Sequence, residues 1–237
     1  ISDGNEASPW LEYNNKLYIG QNYGGNPNNI GFVKVYDISA GTVTTLFKRG
    51  LWANWHSVFY RPYNKIYGVG EGYDANNVQR AGITVVDVVN NAVNFITHPN
   101  TADANEFIGV GIDVSSKTLY IGERARGGST AGGTNWPNGG GLWVVPIDSV
   151  DDTSTWSRVW EQPNGYEWRD IAVYGDSIYA VWTGSGYSAV VRTSKTDLTS
   201  WSVVEQYSVS YRPSVSVFGK TVAYTIYNGT NHILKYS

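Results

Sequence analysis

Lys16-Leu17-Tyr18-Ile19, Lys65-Ile66-Tyr67-Gly68, Thr118-Leu119-Tyr120-Ile121 and Ser177-Ile178-Tyr179-Ala180 are copies of one phrase: a polar residue after a turn, then apolar-Tyr-apolar. A looser fifth copy is Thr221-Val222-Ala223-Tyr224. The successive tyrosines Tyr18, Tyr67, Tyr120, Tyr179 and Tyr224 lie 49, 53, 59 and 45 residues apart. A strand-like unit returning at a period of roughly 40–50 residues predicts propeller blades.

The sequence between the copies supplies the other strands of each blade. A Gly- and Asn-rich loop follows each copy, and then a β-branched strand ending in a polar turn. These strands are Phe32 to Asp37, Ile83 to Asp87 and Leu142 to Asp148, with weaker equivalents at Ala189 to Arg192 and Ile233 to Tyr236. Fourth strands are predicted at Val43 to Phe47, Val93 to Thr97, Trp156 to Trp160 and Trp201 to Gln206. No long stretch has a helical period, and alternation between turn clusters reads as antiparallel meanders. The expected fold is all-β: a five-bladed β-propeller of antiparallel four-stranded blades with the last blade incomplete. The expected domain is a single one over residues 1–237, with blades at about 8–48, 55–97, 106–160, 167–206 and 210–237.

Composition narrows the function classes. The 237 residues are 41% hydrophobic, which excludes a disordered chain, and 16% charged, with 27 Gly, 18 Tyr and 10 Trp. A net charge of −3 and a pI of about 5.6 provide no basic surface for a phosphate backbone, so nucleic acid is not an expected partner. No apolar run reaches the roughly 18 residues of a membrane span. The absence of Cys excludes disulfides and thiolate chemistry. Met is absent too, and the chain opens on Ile1, the expected look of a processed chain or an excised domain. Few lysines, much Asn, Gly, Ser and Thr, and a sequon at Asn228-Gly229-Thr230 point to an extracellular protein or one on a cell or virion surface.

Two segments carry a family resemblance. Ser149-Val150-Asp151-Asp152-Thr153-Ser154-Thr155-Trp156 resembles the Asp-box, Ser-x-Asp-x-Gly-x-Thr-Trp, of sialidase-type propellers, with Thr153 in place of Gly. A more degenerate version is Ser194-Lys195-Thr196-Asp197-Leu198-Thr199-Ser200-Trp201, which also resembles the Ser-Lys-Asp-Leu-x-x-Trp segment of five-bladed glycosidases, interrupted by Thr196. Both fall at the hairpin between a blade's third and fourth strands. The resemblance implies the fold and a structural role, with the carboxylate accepting turn N–H bonds and the Trp packing between sheets. The same architecture hosts hydrolases, lectins and scaffolds.

Blade geometry locates the candidate site. Innermost strands start, and second strands end, on the face where the connecting loops gather. That register brings together Trp10, Trp55, His56, Glu106, Trp168, Arg169, Asp170, Tyr211 and Arg212 from strand starts, and Glu71 and Glu123 from second-strand ends. The glycine-rich loop after Arg124 adds Trp136. Aromatic faces stack on sugar rings, and Arg and Asp bond hydroxyls directionally. The expected ligand-binding set is therefore Trp10, Trp55, His56, Arg124, Trp136, Trp168, Arg169, Tyr211 and Arg212. Each also has a plainer role: tryptophans pack between blades, and Arg169 and Arg212 pair with Asp170 and Glu167.

Three functional readings stay open. One is a lectin-like or adhesive module binding a glycan or polysaccharide. The second is a glycosidase using Glu71, Glu123 and Asp170, with Arg169 and Arg212 holding an acidic substrate; it requires one protonated and one ionised carboxyl. The third is a structural surface propeller with a protein partner. No cofactor is expected. His56, His98 and His232 have no metal-ligand spacing, and Asp74-Ala75-Asn76-Asn77 and Asp103-Ala104-Asn105-Glu106 read as turns rather than calcium loops. Asp37, Asp87 and Asp148 read as turn caps.

Overall fold

The computed structural model describes residues 7–21, 32–47, 51–74, 76, 78–98, 106–124, 140–161, 167–184, 187–208, 214–218, 220–227 and 232–236. Among the described residues nineteen strands are assembled into five antiparallel meander sheets, and the only helical pieces are three short 3-10 turns. The first sheet is β1 (Ala7–Tyr13), β2 (Lys16–Gln21), β3 (Phe32–Asp37) and β4 (Thr42–Phe47). The second is β5 (Leu51–Tyr60), β6 (Lys65–Tyr73), β7 (Gln79–Asp87) and β8 (Ala92–Thr97). The third is β9 (Glu106–Asp113), β10 (Thr118–Arg124), β11 (Gly141–Pro146) and β12 (Ser157–Glu161). The fourth is β13 (Glu167–Tyr174), β14 (Ser177–Gly184), β15 (Tyr187–Ser194) and β16 (Asp197–Tyr207). The fifth has three strands, β17 (Val215–Phe218), β18 (Thr221–Tyr227) and β19 (His232–Tyr236). The five sheets are the blades of a five-bladed β-propeller, as the tyrosine repeat predicts. No described helix is long and apolar enough to cross a membrane.

Several strand boundaries differ from the expected ones; β7 begins at Gln79 rather than Ile83, β15 spans Tyr187–Ser194 rather than Ala189–Arg192, and β11 ends at Pro146 rather than Asp148. β5 begins at Leu51, ahead of Trp55, and β12 begins at Ser157 rather than Trp156. β16 begins at Asp197 rather than Trp201, because Ser194 pairs directly with Asp197 across a two-residue turn. The two-residue turn between β1 and β2 instead uses left-handed backbone, at Asn14 (φ 47°) and Asn15 (φ 61°).

The chain divides into two compact units, Ile1–Phe107 and Ile108–Ser237. In the first, Tyr18, Val33, Val35, Ile66, Val86 and Val88 form a buried cluster. Tyr18, the first of the repeat tyrosines, is fully buried and its hydroxyl donates to the Val88 carbonyl at 3.0 Å, tying blade 1 to blade 2. Burial raises the pKa of that phenol. In the second unit one cluster gathers Tyr120, Leu142, Trp168, Ile171, Ile178, Trp182 and Val191, and another joins Ala172, Val181 and Val190 to Val215, Val222 and Tyr224.

Ionic ties reinforce the contacts between blades of the second unit. Lys195, in the β15–β16 turn, places Nζ 2.6 Å from Asp113 Oδ2 at the end of β9. Burial pushes the Asp113 carboxyl up, but the Lys195 ammonium and the hydroxyls of Ser115 and Ser116 outweigh it and hold the carboxyl below the usual range. Lys195 is raised in turn, chiefly by its hydrogen bond to Asp113. Tyr224 Oη donates to Glu205 Oε2 at 2.8 Å, and Lys235 pairs with the same carboxylate, so β18 and β19 are held to β16.

The Asp113–Lys195 pair makes stability depend on pH. A depressed carboxylate stabilises above its unfolded value of about 3.9, and the gain disappears as pH falls through the folded value. A raised lysine stabilises below about 10.4, and that gain is lost as pH rises through its folded value. Lys195→Met is expected to cost about 2 kcal/mol near neutral pH. In urea unfolding, the gap between the parent and this variant should shrink below about pH 4.

Candidate functional site

The innermost strands β1, β5 and β13 bulge where the sequence places the site. The register slips between Pro9 and Leu11 in β1, between Asn54 and His56 in β5, and between Trp168 and Asp170 in β13. Trp10, Trp55 and Arg169 are the extra residues. A bulge re-aims side chains that simple alternation would have sent to the other face. Strand alternation therefore misassigns the residues on either side of each bulge.

In the first unit the candidates are packing and turn elements. The Trp10 indole covers the glycines of two blades: a Cβ on Gly20 would lie 2.2 Å from it, and one on Gly68 would lie 2.7 Å away. Trp55 and His56 are half-buried, and His56 stands opposite Val69. Glu71 is buried, and Gln79 Nε2 donates to its Oε2 across the β6–β7 hairpin. Glu106 is also buried. Asp74 Oδ1 accepts from the N–H groups of Asn76 and Val78, and its Oδ2 lies 3.3 Å from Arg80 Nε, so this stretch forms a turn. Asp37 Oδ1 accepts from Ala40 N–H, and Asp87 Oδ1 from Val89 and Asn90. In the second unit, Asp148 Oδ2 lies 2.9 Å from Lys117 Nζ.

The second unit gathers more of the expected set. Trp168 is fully buried: a Cβ on Gly122 would lie 2.6 Å from its own Cβ, and one on Gly140 would lie 2.6 Å from its Cδ1. It stands edge-on to Trp160, Trp182 and Trp201, with ring centroids 5.8, 5.8 and 5.3 Å away. Trp160 stacks on Trp182 at 5.4 Å. Trp168 is thus the centre of an indole cluster. Burial of each such ring contributes roughly 5 kcal/mol of transfer free energy before entropy is subtracted.

The candidate catalytic carboxylates of this unit are held by donors. Glu123 is 2% exposed, and its Oε2 accepts from Trp143 Nε1 at 2.8 Å and from Arg158 Nε at 3.0 Å. Gly141 makes this possible, since a Cβ there would lie 2.2 Å from Arg158 Nε and 2.8 Å from the Glu123 oxygen. Asp170 Oδ1 accepts the N–H of Ile171 at 2.9 Å, and Oδ2 accepts the N–H of Val215 at 3.0 Å. That second bond joins the innermost strands of blades 4 and 5. Both oxygens of this carboxylate therefore accept backbone N–H groups.

A different cluster lies at the loop ends of β10, β13 and β14. Arg124 Nε is 3.3 Å from Glu167 Oε1, and Arg169 Nη2 bonds Glu167 Oε2. Arg169 Nε donates to Thr183 Oγ1 at 3.0 Å, and Thr183 stands opposite Glu167 in the ladder. The Arg124, Glu167 and Arg169 side chains are 17–20% exposed, so the group is partly open to solvent. The anticipated Arg169–Glu167 pair is therefore present. Arg158 and Trp143 were missed; the legible signal was Gly141, in register beyond Gly122↔Leu142 and so opposite Glu123. Trp136, Tyr211, Arg212, the sequon at Asn228 and the Asp103-Ala104-Asn105 stretch lie outside the described residues.

The two Asp-box-like hairpins close alike, one residue out of step with the motif. Asp152, not Asp151, accepts from the N–H and hydroxyl of Ser154, at 3.0 and 2.6 Å. Asp197 does the same with Thr199, at 3.1 and 2.7 Å. Trp156 Nε1 donates to the Val150 carbonyl and Trp201 Nε1 to that of Leu198. The shared unit is Asp-x-Ser/Thr-x-Trp, with four residues from carboxylate to indole where the Asp-box has five.

No protein-family model matches the chain, and no curated protein matches it. Among solved structures it is similar to a chain of a nidogen/laminin complex, with a TM-score of 0.60, 13% identity, and 93% of this chain and 71% of that one covered. It is similar to a chain from a study of two prolyl endopeptidases (TM-score 0.52, 9% identity), covering 93% of this chain and 32% of that one. It is also similar to Kuenenia stuttgartiensis hydrazine synthase (TM-score 0.55, 18% identity), covering 89% of this chain and 52% of that one. At these identities the likeness shows the fold alone, and the named proteins differ widely in what they do.

If Asp170 ties blades rather than moving protons, Asp170→Ala should act on stability. The expected cost is about 3 kcal/mol in denaturant unfolding, because two buried N–H groups lose their acceptor. Unchanged stability would overturn the structural assignment.

Proposed function

We propose that the chain is a non-catalytic, lectin-like propeller that recognises glycans at the loop ends of β10, β13 and β14. The observation that carries this reading is a division of labour among the carboxylates of the second unit. Glu123 and Asp170 are consumed by internal donors. Glu167, partly exposed between Arg124 and Arg169, belongs to a mixed donor–acceptor surface. Sugar hydroxyls both donate and accept, so alternating guanidinium, carboxylate and hydroxyl groups suit them. A glycosidase needs a carboxyl that can give a proton beside one that stays ionised, and the environment of Asp170 does not support that role. The extracellular or surface location suggested by composition accords with this reading.

A second reading is a protein partner. It is supported by the likeness to a chain from a nidogen/laminin complex, and by exposed apolar residues such as Val203, Val204, Leu234 and Tyr236.

A glycan-array screen, followed by analysis of the bound sugars for cleavage, separates the readings. Binding without cleavage is expected, and Arg169→Gln should weaken it about tenfold, the loss of one charge-assisted bond pair. Released sugar products would establish the glycosidase instead. Silence on the array, with capture of a protein, would favour the second reading.

A further inference from the structure

We infer that the glycans bound at the loop ends of β10, β13 and β14 carry an anionic group, a carboxylate or a sulfate ester; this rests on the glycan-binding reading above. Arg124 and Arg169 face a single carboxylate there: Glu167 Oε1 lies 3.3 Å from Arg124 Nε, and Glu167 Oε2 accepts from Arg169 Nη2. Two guanidinium groups on one carboxylate leave that group positively charged. The neighbouring acids are engaged elsewhere. Glu123 is matched by Arg158 at 3.0 Å. Glu161 stands on β12, the outer strand of blade 3, and lies 3.4 Å from the same arginine. Asp170 is buried and accepts the N–H groups of Ile171 and Val215. In sequence, the connecting stretches 125–139, 162–166, 185–186 and 209–213 add Arg126 and Arg212 and no Asp or Glu.

The balance of donors and acceptors points the same way. The buried Nε1 groups of Trp168 and Trp182 have no acceptor. Trp168 lies between Glu167 and Arg169 on β13, and Trp182 stands opposite it on β14, next to Thr183. The pyrrole edge of Trp168 lies by Gly140, where a Cβ would come within 2.6 Å of the indole Cδ1 and 1.6 Å of the Glu123 carbonyl oxygen. Buried donors without acceptors are uncommon and costly. A sugar hydroxyl brings a donor along with its acceptors, whereas a carboxylate or sulfate brings acceptors alone. An acceptor-rich ligand therefore suits a ladder with surplus donors. Its bonds to guanidinium are charge-assisted, and so about twice as strong as those of a neutral hydroxyl. The Arg124 and Arg169 side chains are 20% and 17% exposed, open enough to meet a ligand and buried enough to limit screening. Arg124 comes from blade 3 and Arg169 from blade 4, so one anion draws on both.

Titration calorimetry of the parent chain with neutral hexose oligosaccharides, their uronic-acid counterparts and their sulfated counterparts tests this. One anionic series should bind at least about tenfold more tightly than the neutral one. The series that does so identifies the group as carboxylate or sulfate. Its affinity should fall about fivefold or more as salt rises from roughly 0.05 to 0.5 M, because a partly exposed charge contact is screened. Arg124→Gln, with its fold checked by thermal melting, should cut the preference about tenfold, since one guanidinium then faces one carboxylate. Equal or tighter binding of neutral sugars by the parent chain would overturn the inference while leaving the glycan reading intact. Salt-insensitive binding of the anionic series, or an unaltered preference in a folded Arg124→Gln protein, would overturn it as well. Binding of none of the three series would overturn both; the ranking and salt response of the parent chain need no variant.

Discussion

Contact between an indole and a glycine backbone across neighbouring blades sets the spacing on which the rest of the structure depends. In the first unit the Trp10 ring lies on Gly20 and Gly68, and in the second Trp168 lies on Gly122 and Gly140. Sheets that pack face to face keep about 10 Å between them. A large flat side chain fills that gap only if its counterpart is a bare backbone. This explains why Gly20 and Gly122 each follow a repeat tyrosine by two residues, Tyr18 and Tyr120: the tyrosine shares their face of β2 or β10. The Trp160–Trp168–Trp182–Trp201 cluster extends the same device to the outer strands of blades 3 and 4. A β-bulge at each of these innermost strands lets an indole turn inward without breaking the ladder on either side.

The charged residues follow from that packing. Once large rings occupy the gaps, any carboxylate near a strand end is partly desolvated and must find donors. Asp170 finds the N–H groups of Ile171 and Val215, Glu123 finds Trp143 and Arg158, and Asp113 finds Lys195. These are ties between strands and blades. What stays partly open is the Arg124–Glu167–Arg169 group, next to the buried Trp168 but facing solvent. Two guanidinium groups share its single carboxylate.

Much of the fold was legible because its signals are local. The tyrosine repeat, strand alternation and Asn- or Asp-bearing turns specify hairpins without reference to distant residues. The site was legible only in outline. Register placed Arg124, Arg169, Glu123 and Asp170 near strand ends in the second unit, and the structure finds them there. Register did not show that Trp168 points inward, because the bulge beside it alters the alternation. It also did not show that Asp152 rather than Asp151 closes its hairpin, since adjacent aspartates are equivalent to a motif but not to a turn.

The amino-acid sequence alone determined that this protein is a five-bladed meander of strands. Period-two alternation and turn chemistry act between neighbours a few residues apart and need no tertiary partner. Tertiary structure decided which donors each carboxylate meets. Glu123 and Arg158 are 35 residues apart, and Asp170 and Val215 are 45 apart. A carboxylate's fate depends on the donors brought within about 3 Å of it, and packing between strands and blades sets those distances.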